Sequence, residues 1–175
     1  RDMVAFTPAA IKDVAADQVR TIDNQNLHGV TSWPDLIIVT TTPFLVAAER
    51  LADHRRRQGL EVTVVTQDQV FNEFSGGVPD MRAVRDYMAF LYERTDDPDL
   101  IPSYLLLFGD GHYDYRGLSG LQSPQANHIF PFETEESFRT VASYTSDDYF
   151  GLLDPDEGEW TFLTIQSKSR ERLDL

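Results

Sequence analysis

"DLIIVT", residues Asp35 to Thr40, is the stretch on which the fold turns. Leu36, Ile37, Ile38 and Val39 follow one another with no polar residue between them. A strand with one wet face alternates apolar with polar, so an unbroken β-branched run marks a strand covered on both faces. "LEVTVVT" (Leu60–Thr66) and "YLLLF" (Tyr104–Phe108) read as the next two strands.

Helical patterns lie between the three. Pro43 stands at a favourable first position for a helix that runs to about Gln58. Phe44, Ala47, Ala48 and Leu51 share its apolar face, and Gly59 supplies the stop. "QDQVFNEFSGG" reads as a short helical turn running into a glycine loop. Asp80 then caps a second helix, with Met81, Val84, Met88 and Leu91 on its apolar face and Tyr87 beside them. "TDDPDLIP" ends that helix. Strand, helix, strand, helix, strand at this spacing predicts right-handed crossovers and a parallel sheet with helices on both faces. The expected fold class is α/β, a three-layer flavodoxin-like sheet in the spatial order 2-1-3.

The flanks are less regular. In residues 1–33, "RDMVAF" fits a short strand and "PAAIKDVAADQV" a helix or irregular arm, so this part reads as an N-terminal arm or the end of a preceding domain. Residues 34–175 form the domain proper. After Gly117, "LQSPQANHIFPFETEESF" is mostly loop. "YFGLLD" and "EWTFLTI" flank "PDEG", which predicts an antiparallel C-terminal hairpin or meander at the sheet edge.

At 175 residues, 41% hydrophobic and 25% charged, the chain suits one domain with its own core. No apolar stretch approaches the ~18 residues of a membrane span. A formal charge of −14 argues against a nucleic-acid partner, since phosphate binding needs a surplus of Lys and Arg. The one basic run, His54 to Arg57, falls late in a helix and complements the negative end of its dipole. There is no cysteine, which removes disulfides, thiolate metal sites and a cysteine nucleophile together. The chain opens at Arg1 and stops at "RERLDL", the beginning of a strand, and so reads as an excised piece.

Ligands of open α/β sheets gather beyond the carboxyl ends of the strands. That rule places "TTTP" after the first strand and "GDGHYDYRG" after the third on one rim. Gly109 and Gly111 suit a sharp turn that needs positive φ. Asp110 and Asp114 either satisfy local backbone N–H groups or, with His112, hold a cation such as Ca²⁺. No second ligand cluster joins them, and neither phosphate-binding glycine pattern is present. "DPDEGEW" (Asp154–Trp160) begins like a calcium loop, but its twelfth position is Ile165 and not Glu, so a polar hairpin tip fits better. "GLSGL" misses the hydrolase elbow by one position. His28, His54, His112 and His128 sit on unrelated segments, and only His112 reaches the rim. Asp147 and Asp148 are adjacent and therefore point different ways; they make a solvated turn, or one of them lines a pocket for a cationic group. On the residues alone, a self-sufficient binding module for calcium or a small cationic ligand stands beside any catalytic reading.

Five segments occur here in a particular order: "NQNLHG" (24–29), "PDLIIVT" (34–40), "VFNEFSGGVPDMRAVRDYM" (70–88), "YLLLFGDGHYDYRG" (104–117) and "YTSDDYFGLLDPDEGEW" (144–160). Together they resemble the gingipain-type cysteine peptidases, and within them the sortases of type IX secretion. The resemblance covers residues 22–175. It implies a caspase-like catalytic domain in two halves, with the His/Cys dyad in the second half. No catalytic residue then falls within this chain, and the absence of cysteine is the expected property of a first half. His112 stands where the family commonly has serine, so it does not match the catalytic histidine.

The chemistry implied is acyl transfer, in which a His-activated thiolate attacks a peptide carbonyl and water or an amine resolves the thioester. In the sortases, this removes a C-terminal secretion signal from protein cargo and passes the cargo to an anionic lipopolysaccharide. By the same resemblance, Asp147, Asp148 and Tyr149 approach the substrate cleft, and Asp110, His112 and Asp114 support its rim. No cofactor is required and calcium is compatible. The partners are the missing catalytic half and a protein or peptide substrate, at the cell surface or outer membrane. The unpaired docking face is expected to favour self-association.

Overall fold

The computed structural model describes residues 19, 21–22, 25–111, 129–133 and 145–154. Within them the chain runs β1 (Leu36–Thr40), α1 (Leu45–Arg56), β2 (Val62–Thr66), α2 (Gln67–Phe74), α3 (Arg82–Tyr92) and β3 (Tyr104–Phe108). The strands form a parallel sheet in the order β2-β1-β3, as their spacing predicts. They are paired without stagger, so Ile38 lies opposite both Val64 and Leu106.

All five residues of the central strand β1 are buried. Because successive side chains of a strand leave opposite faces, one hydrophobic run feeds two cores. Ile37 and Val39 join Val65 and the apolar faces of α2 and α3, including Val70, Phe71, Val84 and Tyr87. Leu36 and Ile38 join Val62 and, from α1, Ala48 and Ala52. Helices therefore cover both faces, giving three layers.

Each helix shows how local chemistry sets its phase. A 3-10 turn at Thr42–Phe44 precedes α1. In α1, Ala47 is exposed, and Ala52 is buried together with Ala48. The basic run does more than face the dipole. The Arg56 guanidinium donates to the Val62 carbonyl, at 3.3 Å from Nε and 2.9 Å from Nη2, tying the helix tail to the start of β2. It also pairs with Glu49 (3.1 Å) and Asp53 (2.9 Å).

The expected short turn after β2 is an eight-residue helix, α2, closed by a capping box between Thr66 and Gln69. After α2 the chain turns through Gly76 (φ 62°) and Gly77 (φ 82°), a conformation that favours glycine. The expected cap, Asp80, falls one residue short of that position: Met81 is the N-cap of α3 and makes no side-chain cap bond, while Asp80 Oδ1 accepts from the Arg82 N–H at 2.9 Å. β2 itself starts at Val62, two residues later than the run "LEVTVVT" indicates. The intervening Glu61 is held by Asp35, whose carboxylate accepts the Glu61 N–H at 2.7 Å.

A further expectation is overturned. "YFGLLD" is not a strand, for Asp147–Gly151 is a 3-10 turn. Tyr149 and Phe150 are both buried in the same cluster. A strand would send these neighbours to opposite faces, whereas a helical turn lets both enter one core. The other arm of the expected hairpin, "EWTFLTI", lies outside the described residues, as do "RDMVAF" and "PAAIKDVAADQV" apart from Val19.

The arm before β1 is clamped to α2. The Glu73 carboxylate accepts the Leu27 N–H (2.7 Å), the His28 N–H (3.1 Å) and the Gln25 side-chain amide (3.3 Å), and meets His28 Nδ1 at 2.7 Å. Leu27 is buried in the core, and the His28 ring stacks on Phe74 at 4.3 Å. Further along, the Arg94 guanidinium lies 4.5 Å over the Trp33 ring and donates to the Val30 carbonyl. These contacts give "NQNLHG" a structural purpose.

Candidate functional site

Parallel, unstaggered pairing brings the carboxyl ends of all three strands to one rim, where Thr40 lies opposite both Thr66 and Phe108. The buried Thr40 hydroxyl donates to the Phe108 carbonyl at 2.9 Å, locking β1 and β3 together there. At the end of β2, Thr66 caps α2 and the next residue, Gln67, presents its side-chain carbonyl to the Phe130 N–H at 2.8 Å. From β3, the Asp110 carbonyl accepts the Ile129 N–H at 2.9 Å. Residues 129–133 therefore lie across the rim.

Gly111 is required here by space and not by positive φ: a Cβ would stand 2.8 Å from the Ile129 carbonyl oxygen. Asp110 is exposed on the rim. His112 and Asp114 lie outside the described residues, so their gathering with Asp110 is not seen. Among the described residues, no three acidic or histidine side chains converge as a metal site would need.

The acidic turn is fixed at several points. A bridge joins Glu133 to Thr145, and the Ser146 N–H donates to the Phe132 carbonyl at 3.2 Å. Phe132 stacks on Tyr149, with centroids 3.9 Å apart and planes within 6°. Tyr149 is 4% exposed and Phe150 2%, so their rings are packed while Asp147 and Asp148 remain exposed. Burial pushes the Tyr149 hydroxyl above its usual range, and Arg85 and Arg82 nearby only partly oppose this. On the exit side, Arg85 of α3 donates from Nε to the Leu152 carbonyl (2.6 Å) and from Nη2 to the Asp154 carbonyl (3.1 Å).

Between this turn and β3 runs an open groove of about 500 Å³, with Asp147, Asp148 and Phe150 on one wall and Tyr104 to Leu107 on the other. β3 pairs only with β1 among the described residues. Its Leu105, Leu106 and Leu107 are half-buried, and Tyr104 is 59% exposed. An edge strand is ordinarily blunted by charge or proline. β3 has neither, and carries the composition of an interior strand.

Among the described residues the arrangement offers an acidic wall, an apolar strip and a strand edge, which suit holding an extended chain. The structure brings Asp110 and the Asp147–Gly151 turn onto segments joined through residues 129–133, while His28 sits apart, on the arm against the far end of α2. Sequence reading missed Arg85, Glu73 and the Thr66–Gln69 box. The last is legible as T-x-x-Q before an apolar run; the other two act on backbone groups remote in sequence, which no local pattern reports.

The pattern of Peptidase family C25 matches residues 31–174. Among solved structures, the crystal structure of dimeric latent PorU from Porphyromonas gingivalis is similar at 41% identity, with a TM-score of 0.67. The likeness covers 81% of this chain and 14% of that one. No curated protein matches.

Proposed function

The chain belongs to peptidase family C25, and from that premise we infer that it is the first, nucleophile-free half of a cysteine peptidase. The fold is α/β and caspase-like, and the domain is of the gingipain and PorU type. The observation that carries the finer reading is the pairing of a cysteine-peptidase family match over residues 31–174 with a sequence that contains no cysteine. The thiolate and its histidine would come from a following half. Residues 34–175 would supply the wall of the cleft through Asp147 and Asp148, backed by Tyr149, and its rim through Asp110, His112 and Asp114.

The reaction is acyl transfer at a peptide bond, with removal of a C-terminal secretion signal from type IX cargo as the specific role. The resemblance to the PorU structure supports that role and a position at the cell surface or outer membrane. Among the described residues no helix is long and apolar enough to cross a membrane. The open edge of β3 supports docking of the second half, and in its absence self-association. Calcium at Asp110, His112 and Asp114 remains part of the proposal without a step that depends on it: only Asp110 lies among the described residues.

Peptides bearing a cargo C-terminal signal test the reading. The isolated chain is expected to leave them intact, whereas the full-length protein cleaves them and loses activity on thiol alkylation. Turnover by the isolated chain, or alkylation without effect on the full-length protein, overturns it.

A further inference from the structure

We propose that Arg85 is a positioning residue: its guanidinium clamps the exit of the Asp147–Gly151 turn and so sets where the two aspartates stand along the groove. The inference rests on the reading of that turn as a substrate wall and adds to it the group that holds the wall in place.

The turn needs such a group. Asp147 and Asp148 are like charges side by side in the first turn of a 3-10 helix whose N-cap, Ser146, makes no side-chain cap bond. Adjacent carboxylates repel, and the chain around them carries a formal charge of −14. The entry of the turn is held by the bond from Ser146 to Phe132, and its middle by the packed Tyr149 and Phe150. The exit is held from α3, because Arg85 reaches two carbonyls spaced two residues apart, those of Leu152 and Asp154. Only a planar fork with several fixed donors spans such a pair; a lysine ammonium is a single point.

The Arg85 side chain is 16% exposed and its Nη1 lies 3.7 Å from Asp86 Oδ1, so the helix orients the fork before the turn meets it. Hydrogen bonds from a charged donor are stronger than those between neutral groups. Arg85 is not among the residues that line the groove; it holds Leu152, which is, and Asp154 beyond it.

The test uses the full-length peptidase with a peptide substrate, comparing Arg85→Met, Arg85→Lys and the double variant Asp147→Asn/Asp148→Asn. If Arg85 positions the wall, Arg85→Met raises KM about threefold to tenfold with kcat nearly unchanged, and Arg85→Lys gives a smaller rise. Amides of residues 146–154 exchange about tenfold faster in Arg85→Met, while those of β1 and α3 keep their protection. The aspartate variant raises KM without speeding exchange.

If the aspartate variant raises KM but both Arg85 variants match wild type in KM and exchange, the positioning role is refuted and the cleft reading stands. If the aspartate variant leaves KM unchanged, the cleft reading fails and the proposal fails with it. Loss of protection throughout the domain in Arg85→Lys as well as Arg85→Met assigns Arg85 to general stability and also overturns the proposal.

Discussion

Glu73→Ala removes the acceptor that joins the N-terminal arm to α2, and its cost follows from the geometry. The wild-type carboxylate is 15% exposed and takes the Leu27 and His28 N–H groups together with the side chains of His28 and Gln25. A hydrogen bond to a charged group stabilises by about 1.5–3 kcal/mol net, and a buried N–H left without a partner costs about 1–3 kcal/mol. Leu27 is buried and its N–H would be orphaned, whereas His28 is exposed and water replaces the lost acceptor. The expected loss is therefore about 2–4 kcal/mol and not the sum of four bonds. At about 2–4 °C per kcal/mol for a domain of this size, melting followed by circular dichroism should fall by roughly 5–15 °C.

The pH dependence has a defined sign. Burial pushes the Glu73 carboxyl up, but the bonds from Leu27, His28 and Gln25 outweigh it and leave the group below its ordinary range. A depressed carboxyl stabilises in full above its unfolded pKa, about 4.3, and the contribution disappears as pH falls through the folded value. The gap between wild type and Glu73→Ala in urea titrations should narrow as pH falls below about 4.3. A loss under about 0.5 kcal/mol at pH 7, within the range of an ordinary surface substitution, refutes the clamp. So does a gap that stays flat down to about pH 3.

Three further substitutions probe separate parts of the site. Phe150→Ala, at a position 2% exposed, should cost about 3–5 kcal/mol in chemical denaturation, because the cavity would open in the core that seats the acidic turn. Gly111→Ala forces a Cβ to 2.8 Å from the Ile129 carbonyl and should destabilise by about 1–3 kcal/mol, with faster amide exchange confined to residues 110–111 and 129–133. Thr66→Ala breaks the capping box at the rim and should cost about 1 kcal/mol; an effect below a few tenths would mean that Gln69 alone caps α2.

How much of this was legible depends on where the information lies. β1 announces itself because a strand buried on both faces needs apolar residues at every position, and "LIIV" leaves no other reading; "YLLLF" has the same composition, yet β3 is only half-buried and Tyr104 is exposed. The order 2-1-3 follows from right-handed crossovers once three strands are placed. α2 reads as a mere turn because an eight-residue helix has barely two turns in which to show periodicity. "YFGLLD" was misread because aromatic and leucine residues favour strands locally, and the stacking of Tyr149 on Phe132 overrides that preference. The 3-10 turn before α1 is three residues long, and no propensity distinguishes it from a first helical turn. At the candidate site the acidic pair was visible and its support was not, because Arg85 acts on carbonyls 67 and 69 residues away.

That β3 pairs on one side only among the described residues has a consequence in time as well as in space. The three strands can pair once Phe108 has left the ribosome, yet nothing in the described residues then closes that side. Translation at roughly 5–20 residues per second leaves such a seam open for seconds while later chain is made. A leucine-rich ribbon without a gatekeeping charge is an adhesive template for any other nascent strand in that interval. Yield of native protein should therefore depend on how quickly the following residues emerge, so that slowing codons placed after Phe108 would lower it more than the same codons placed before β1.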